Sequence, residues 1–177
     1  ENKQHNQLII RGATIINSTG APPLGPVDIV IEKNIITKIQ NVGYPGVPIN
    51  NDRRPKLSKN GVEINCEGSY VLPGFIDTHG HIGGRSQGAS PDYVFKLWMS
   101  HGVTTIREPG GSLSHELKLE LKKNSEKNTI IAPRIIAFSA FNSRIKSIEE
   151  ARVWVRNNAK KGSDGIKFFG APPDIMK

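Results

Sequence analysis

Cysteine occurs only once, as Cys66, so the chain forms no intrachain disulfide, and cysteine usage leaves the redox compartment open. Long apolar runs are missing too. None approaches the roughly 18 residues that a membrane-spanning helix needs, and no signal-peptide pattern is present. The expectation is a soluble chain, cytoplasmic or, after processing, periplasmic or secreted. Its first residue is Glu1 rather than methionine, which predicts a processed or trimmed N-terminus. Aromatic residues are sparse, at 6%, and are not interleaved with basic residues in the manner that stacks bases. That scarcity decides how to read the charge. With 24 Lys and Arg against 16 Asp and Glu, the formal net charge is +8, which would suit a polyanion if the basic residues were clustered. They are scattered: Lys118, Lys122 and Lys123 alternate with Glu116, Glu120 and Glu126, and Arg53-Arg54 falls in a polar stretch. Neither a nucleic-acid nor a membrane partner is expected, and the basic excess reads as a solvated face.

What is present falls into two patterns. Residues 7–17 and 27–40 hold short β-branched runs broken by Gly12, Gly20, Pro22-Pro23 and Gly25, which predicts strands and turns in an antiparallel sheet. Lys33-Asn34, between Ile31-Glu32 and Ile35-Ile36, is a two-residue hairpin turn by the same reasoning. Residues 41–60 are rich in Asn, Pro, Gly and charge, and predict an irregular loop. Strand character resumes at Val62 to Asn65 and Tyr70 to Leu72, and a boundary is expected near Pro73.

After Pro73 strands alternate with helices, the signature of βα units and a parallel sheet. Ser90-Pro91 opens a helix that ends at Gly102, and Val103 to Arg107 is the next strand. Ser112 is expected to open a second helix with Leu113, Leu117 and Leu121 on one face. A strand over Arg134 to Ser139 follows. Ser147 and Glu150 form a capping box for a third helix with a buried stripe of Ile148, Ala151, Val155 and Ala159, stopped by Gly162. Asp164 to Phe169 is the fourth strand.

The densest chemistry lies in Val71-Leu72-Pro73-Gly74-Phe75-Ile76-Asp77-Thr78-His79-Gly80-His81, an apolar run ending in two histidines one residue apart. In a strand such residues project to the same side, so both imidazoles can reach one cation, zinc or a similar ion. The bland alternative is a polar strand end. Asp77, two residues earlier, shares that face and suits an orienting role. Lys167 sits in an apolar strand, where an unpaired ammonium is costly to bury, and a neutral lysine is a nucleophile; the alternative is a stem that packs while the head reaches water. Histidines 5, 101 and 115 read as tail or helix residues and are not expected at a site.

The Pro73-to-His81 run resembles the first-strand signature of the amidohydrolase superfamily, in its imidazolonepropionase-like and dipeptidase-like branch. Leu8 to Gln40 resembles that family's opening strands, and His101 to Arg107 its second barrel strand. The resemblance implies an α/β chain: a small N-terminal β-sandwich over residues 1–72, then, over 73–177, the first half of a TIM-type (β/α)8 barrel, about four βα units. A complete barrel takes about 250 residues, so the 177-residue chain is expected to be the N-terminal part of a longer enzyme, inactive alone, that needs the remainder of the barrel from the same chain, a second chain or self-association. The implied activity is metal-dependent hydrolysis of a linear or cyclic amide C–N bond in a small or dipeptide-like substrate. The implied cofactor is one or two divalent cations, zinc expected, held by His79, His81 and a carbamate on Lys167, with Lys167 also catalytic. Further ligands, two histidines and an aspartate, would come from strands outside this chain. Asp77, Arg85, Arg107 and Glu108 would orient ligands or contact substrate, although an internal Arg107–Glu108 pair explains those two equally well. The rival reading is a non-catalytic scaffold protein of the same fold.

Overall fold

The computed structural model describes residues 5–176; Glu1, on which the expectation of a processed terminus rests, lies outside them. The chain divides into two compact units, Glu1–Pro73 and Gly74–Lys177.

The first unit is built on β1 (Gln7–Ile15), β2 (Leu24–Glu32), β3 (Ile35–Asn41), β4 (Val62–Asn65) and β5 (Tyr70–Val71). The hairpin forms where expected: Glu32 pairs with Ile35, and Lys33 takes the positive φ of 58° that a two-residue turn demands. Two features differ from the sequence reading. β4 and β5 run parallel to β1, so the sheet is mixed rather than antiparallel. The described strands of this unit also form a single sheet, β3-β2-β1-β4 with β5 beside β1, not the two facing sheets of a sandwich. Ile15, Val27 and Ile29 are its buried centre, with Ile10, Ile31 and Val71 packed around them.

Residues 41–60 hold one short 3-10 turn, Asn51–Arg53, and Arg54 is not a solvated charge. Its guanidinium reaches the fully buried Asp28 twice, Nε to Oδ2 and Nη2 to Oδ1, both at 3.0 Å. Arg11 Nη1 donates to Oδ2 at 2.8 Å and the Gly12 amide to Oδ1 at 2.9 Å. Gly12 has a φ of 69°, and a Cβ there would lie 2.3 Å from Glu67 Cγ, so any other residue would be strained and would have to displace Glu67. Burial alone would push the Asp28 carboxyl up. The bonds from Arg54, Arg11 and Gly12 outweigh it and hold the group below its ordinary value.

The second unit contains β6 (Phe75–Asp77), α1 (Pro91–Ser100), β7 (Val103–Glu108), α2 (His115–Glu126), β8 (Arg134–Ala140), α3 (Ile148–Lys161), β9 (Gly165–Lys167) and the short α4 (Pro173–Met176). The four strands lie in the order β6-β7-β8-β9, all parallel, with each neighbour reached through a helix. A curled, all-parallel sheet with this connection pattern is consistent with part of a (β/α)8 barrel. Ile106, Ile135 and Ala137 turn one face toward the helices and pack with Ile82, Phe95, Trp98, Leu119 and Leu121. Burying Phe95, at 1% exposure, contributes on the order of 3 kcal/mol.

Helix starts and stops follow their caps: Ser90, Ser114 and Ser147 each accept an amide from their own first turn, and Gly162 ends α3 at a φ of 101°. The cap of α2 is therefore Ser114, not Ser112. Its buried face is also different, since Lys118 and Ser125 are buried while Leu117 is exposed. In α3 the inward stripe is Ala151, Trp154 and Asn158, and Ile148 and Val155 face solvent. In both helices a polar residue takes a core position because it has a partner inside.

Candidate metal-binding site

β6 stops at Asp77, so His79 and His81 lie beyond the strand and not on it. Alternation along a strand is therefore not what pairs them. The Asp77 carboxylate accepts the His79 amide at 2.8 Å and turns the chain. The Gly80 amide then donates to the Arg107 carbonyl at 3.1 Å, and Arg107 Nε donates to the Thr78 carbonyl, which fastens the turn to the end of β7. Gly80 is required at that contact: a Cβ would lie 2.5 Å from Ile106 Cδ1 and 3.1 Å from Trp98 Cζ2. The two imidazoles end up edge to face with centroids 5.8 Å apart, near enough for both to reach one ion.

Behind His81 stands Glu108, 1% exposed. Its Oε1 is 3.0 Å from His81 Nδ1 and accepts the Gly110 amide at 2.8 Å, while Oε2 accepts the Ile82 amide at 2.9 Å. Trp98 Nε1 donates to the His81 carbonyl at 3.1 Å. A histidine anchored through Nδ1 to a carboxylate keeps Nε2 for a ligand, the usual arrangement of metal-bound imidazole. The donors therefore fit a divalent cation of the zinc type. Among the described residues no three His, Cys, Asp or Glu side chains converge, so the two imidazoles are the core of the set.

The other expected site residues are distributed as follows. Arg107 and Glu108 do not pair. As neighbours on a strand they face opposite ways, Glu108 inward with Ile106 and Arg107 onto the Phe138 ring, 5.1 Å from its centroid. Arg85 sits in the 3-10 turn Arg85–Gln87, exposed, with no side-chain hydrogen bond or ion pair among the described residues. Lys167 is the last residue of β9, not the middle of a longer strand, and is partly exposed, with Nζ 5.4 Å from the Phe169 ring centroid. The fourth strand is thus shorter than the 164–169 span expected, and Lys167 stands at its C-terminal end rather than buried in its middle. Three inter-strand steps separate β9 from β6, about 14 Å along a flat sheet, so only the curl of the sheet can bring Lys167 toward the histidines.

One polar group was not anticipated. Ser139, 2% exposed, bonds Asn158 Oδ1 at 3.0 Å and Ser163 Oγ at 2.6 Å, and lies 3.1 Å from His115 Nε2. The buried Lys118 donates to the Phe138 carbonyl at 3.0 Å beside it. Burial and the Lys118 charge hold His115 below the ordinary imidazole value, with Glu116 opposing and Lys161 adding to the effect. Burial also pushes the Lys118 ammonium down, against the charge of Glu108. The period-two series Ile135, Ala137, Ser139 was the available signal that Ser139 faces the helices.

No family model matches the chain. Over 44 residues, a quarter of the chain, it is 48% identical to adenine deaminase 2 of Desulfotalea psychrophila, and over 50 residues 42% identical to the adenine deaminase of Staphylothermus marinus. These stretches are 7% and 8% of the two relatives. Among solved structures, a putative prolidase from Bifidobacterium longum matches 94% of the chain with a TM-score of 0.70 at 23% identity, and molinate hydrolase matches 94% with 0.71 at 16%. A prolidase complexed with N-methylphosphonate-L-proline matches 95% with 0.67 at 20%. The chain spans less than half of each of these, at 41%, 45% and 48% of their lengths, and at such identities the likeness is one of fold.

Proposed function

We propose that this chain is a member of the amidohydrolase superfamily and carries the first-strand portion of a divalent-metal site that hydrolyses a C–N bond in a small molecule. The observation that carries the proposal is the His79–His81 pair with Glu108 behind it. A divalent cation, zinc by preference, would supply Lewis acidity and an acidified water. The chain's own residues do the positioning: His79 and His81 hold the ion, Asp77 and Arg107 fix the turn that presents them, and Lys167, at the C-terminal end of its strand where such barrels gather catalytic groups, contributes as carbamate or direct ligand. Arg85, exposed just past the histidines, is free to meet substrate. Names among the relatives supply the candidate substrates, an exocyclic ring amine as in adenine or the amide of a proline dipeptide.

The same reading divides the chain into a small β domain over residues 1–72 and an incomplete barrel over 73–177. β6 and β9 are both edge strands, and Ile76 and Phe169 are 64% and 72% exposed. Unpaired edges and bare apolar side chains call for cover, which further βα units would provide. The competing reading, a scaffold without chemistry, draws on one observation: no third His, Cys, Asp or Glu converges with the histidines among the described residues.

The test is made on the full-length protein purified without chelator. Elemental analysis should find one to two equivalents of zinc or a similar ion. Ammonia release from adenine and cleavage of a proline dipeptide are then assayed before and after chelation. Loss of metal and of turnover in His79→Ala and His81→Ala supports the site; metal-free protein that stays inactive when zinc, manganese or cobalt is added sinks it and favours the scaffold.

A further inference from the structure

Resting on the metal reading above, we infer that Glu108 is the positioning residue of the site: its carboxylate selects the His81 tautomer that carries hydrogen on Nδ1 and leaves Nε2 as the ligand atom. Two backbone amides fix the carboxylate. Gly110 N–H donates to Oε1 and Ile82 N–H to Oε2, at 2.8 and 2.9 Å, and an amide hydrogen can only be donated. The carboxylate is thereby held as an acceptor through both oxygens, and the ring nitrogen 3.0 Å from Oε1 completes the set as a third donor.

The surroundings leave His81 little freedom to escape this arrangement. Its carbonyl is held by Trp98 Nε1. Gly111 presses against the pair so closely that a Cβ there would stand 3.2 Å from both Glu108 Oε1 and His81 Nδ1. Yet the His81 side chain keeps 38% exposure, so its other edge faces an open side. His79 has no comparable anchor: among the described residues its ring makes a contact with the His81 ring and no hydrogen bond. The site is asymmetric, with one preset ligand and one that turns to meet the ion. Preset ligands lower the ordering cost of binding, and a carboxylate on the far nitrogen raises imidazole basicity.

Glu108→Gln separates this role from bulk and burial. A glutamine at the same place puts NH2 where one oxygen was, opposite the Gly110 amide and Nδ1 at the Oε1 place, or opposite the Ile82 amide at the Oε2 place. The first placement stabilises the wrong tautomer, with hydrogen on Nε2; the second leaves Nδ1–H only a neutral amide oxygen, a weaker acceptor than the carboxylate. The expected loss of metal affinity is about 10- to 100-fold.

Two measurements on the full-length protein test it. The first is the 15N spectrum of the His81 ring in metal-free wild type at pH 8, where hydrogen on Nδ1 is expected and hydrogen on Nε2 overturns the inference. The second is Co2+ titration followed by its visible absorption, comparing wild type with Glu108→Gln; equal affinity in a folded variant overturns the inference as well. Should Glu108→Gln fail to fold, the wild-type spectrum alone decides. Should wild type bind neither Co2+ nor Zn2+, the metal reading fails while the spectrum still reports on what Glu108 does to His81.

Discussion

Replacing Asp28 should damage the first unit out of proportion to the size of the change. The carboxylate is fully buried and accepts four hydrogen bonds: two from Arg54, one from Arg11 and one from the Gly12 amide. Asp28→Ala leaves two guanidiniums and one amide without their acceptor. Breaking one side of a buried pair costs about 3–5 kcal/mol. Because Arg11 and Arg54 keep 13% and 20% exposure and water can partly reclaim them, the lower end applies, about 3 kcal/mol. With a urea slope of about 1–3 kcal/mol/M, the midpoint of the affected transition falls by about 1–3 M. Far-UV circular dichroism of the full chain in urea reads the transition, and exchange of the Gly12 amide reads the site itself. The pH dependence has a definite sign. Asp28 titrates lower in the folded state than in the unfolded one, so its stabilisation is complete above the unfolded value of about 3.9 and is lost as pH falls through the lower folded value. Asp28→Asn should abolish that acid limb. A cost below about 1 kcal/mol, the range of exposed ion pairs, would refute the argument that the network is buried and structural.

Two further outcomes follow from the second unit. Gly80→Ala forces a methyl within 2.5 Å of Ile106 and should cost about 1–3 kcal/mol in urea unfolding while weakening metal binding, whereas Gly170→Ala, with nothing within 4 Å, should stay within about 0.5 kcal/mol of wild type. His115 titrates below its unfolded value of about 6.5, so the unfolded chain takes up its proton first and stability should fall as pH drops below that value; His115→Gln should flatten this slope between pH 7.5 and 5.5, and an unchanged slope would remove His115 from the account.

The strand order of the second unit and the helix starts at Ser90 and Ser147 were legible because each rests on local chemistry: a serine oxygen for the first free amides, a glycine at positive φ for the last carbonyls of α3, alternation for the strands. The start of α2 at Ser114 and the short β9 were not, and neither were the buried helical faces. Leu117 and Val155 look like core residues on hydrophobicity alone, but Lys118 and Asn158 occupy the core positions because the Phe138 carbonyl and Ser139 wait for them there. A single sequence does not announce a buried partner 19 or 20 residues away. In the first unit the parallel pairing of β4 and β5 with β1 was hidden for a related reason, since the strand runs read alike in either direction and only the long return through residues 41–60 permits the parallel one.

The site shows the same division between what spacing carries and what only folding supplies. Two histidines around a glycine announce a possible ligand pair, yet the alternation that seemed to align them does not apply past Asp77, and the turn made by the Asp77 carboxylate aligns them instead. Alternation does explain Glu108. It shares a face with buried Ile106, and a carboxylate there must find donors or not be there at all. Those donors are the Ile82 and Gly110 amides and His81, so the strand that follows the motif decides what the motif can do. A strand residue that alternation buries, carries a carboxylate and lies at a barrel strand's C-terminal end is thus a stronger pointer to a ligand's support than its proximity in sequence to Arg107, which faces the other way.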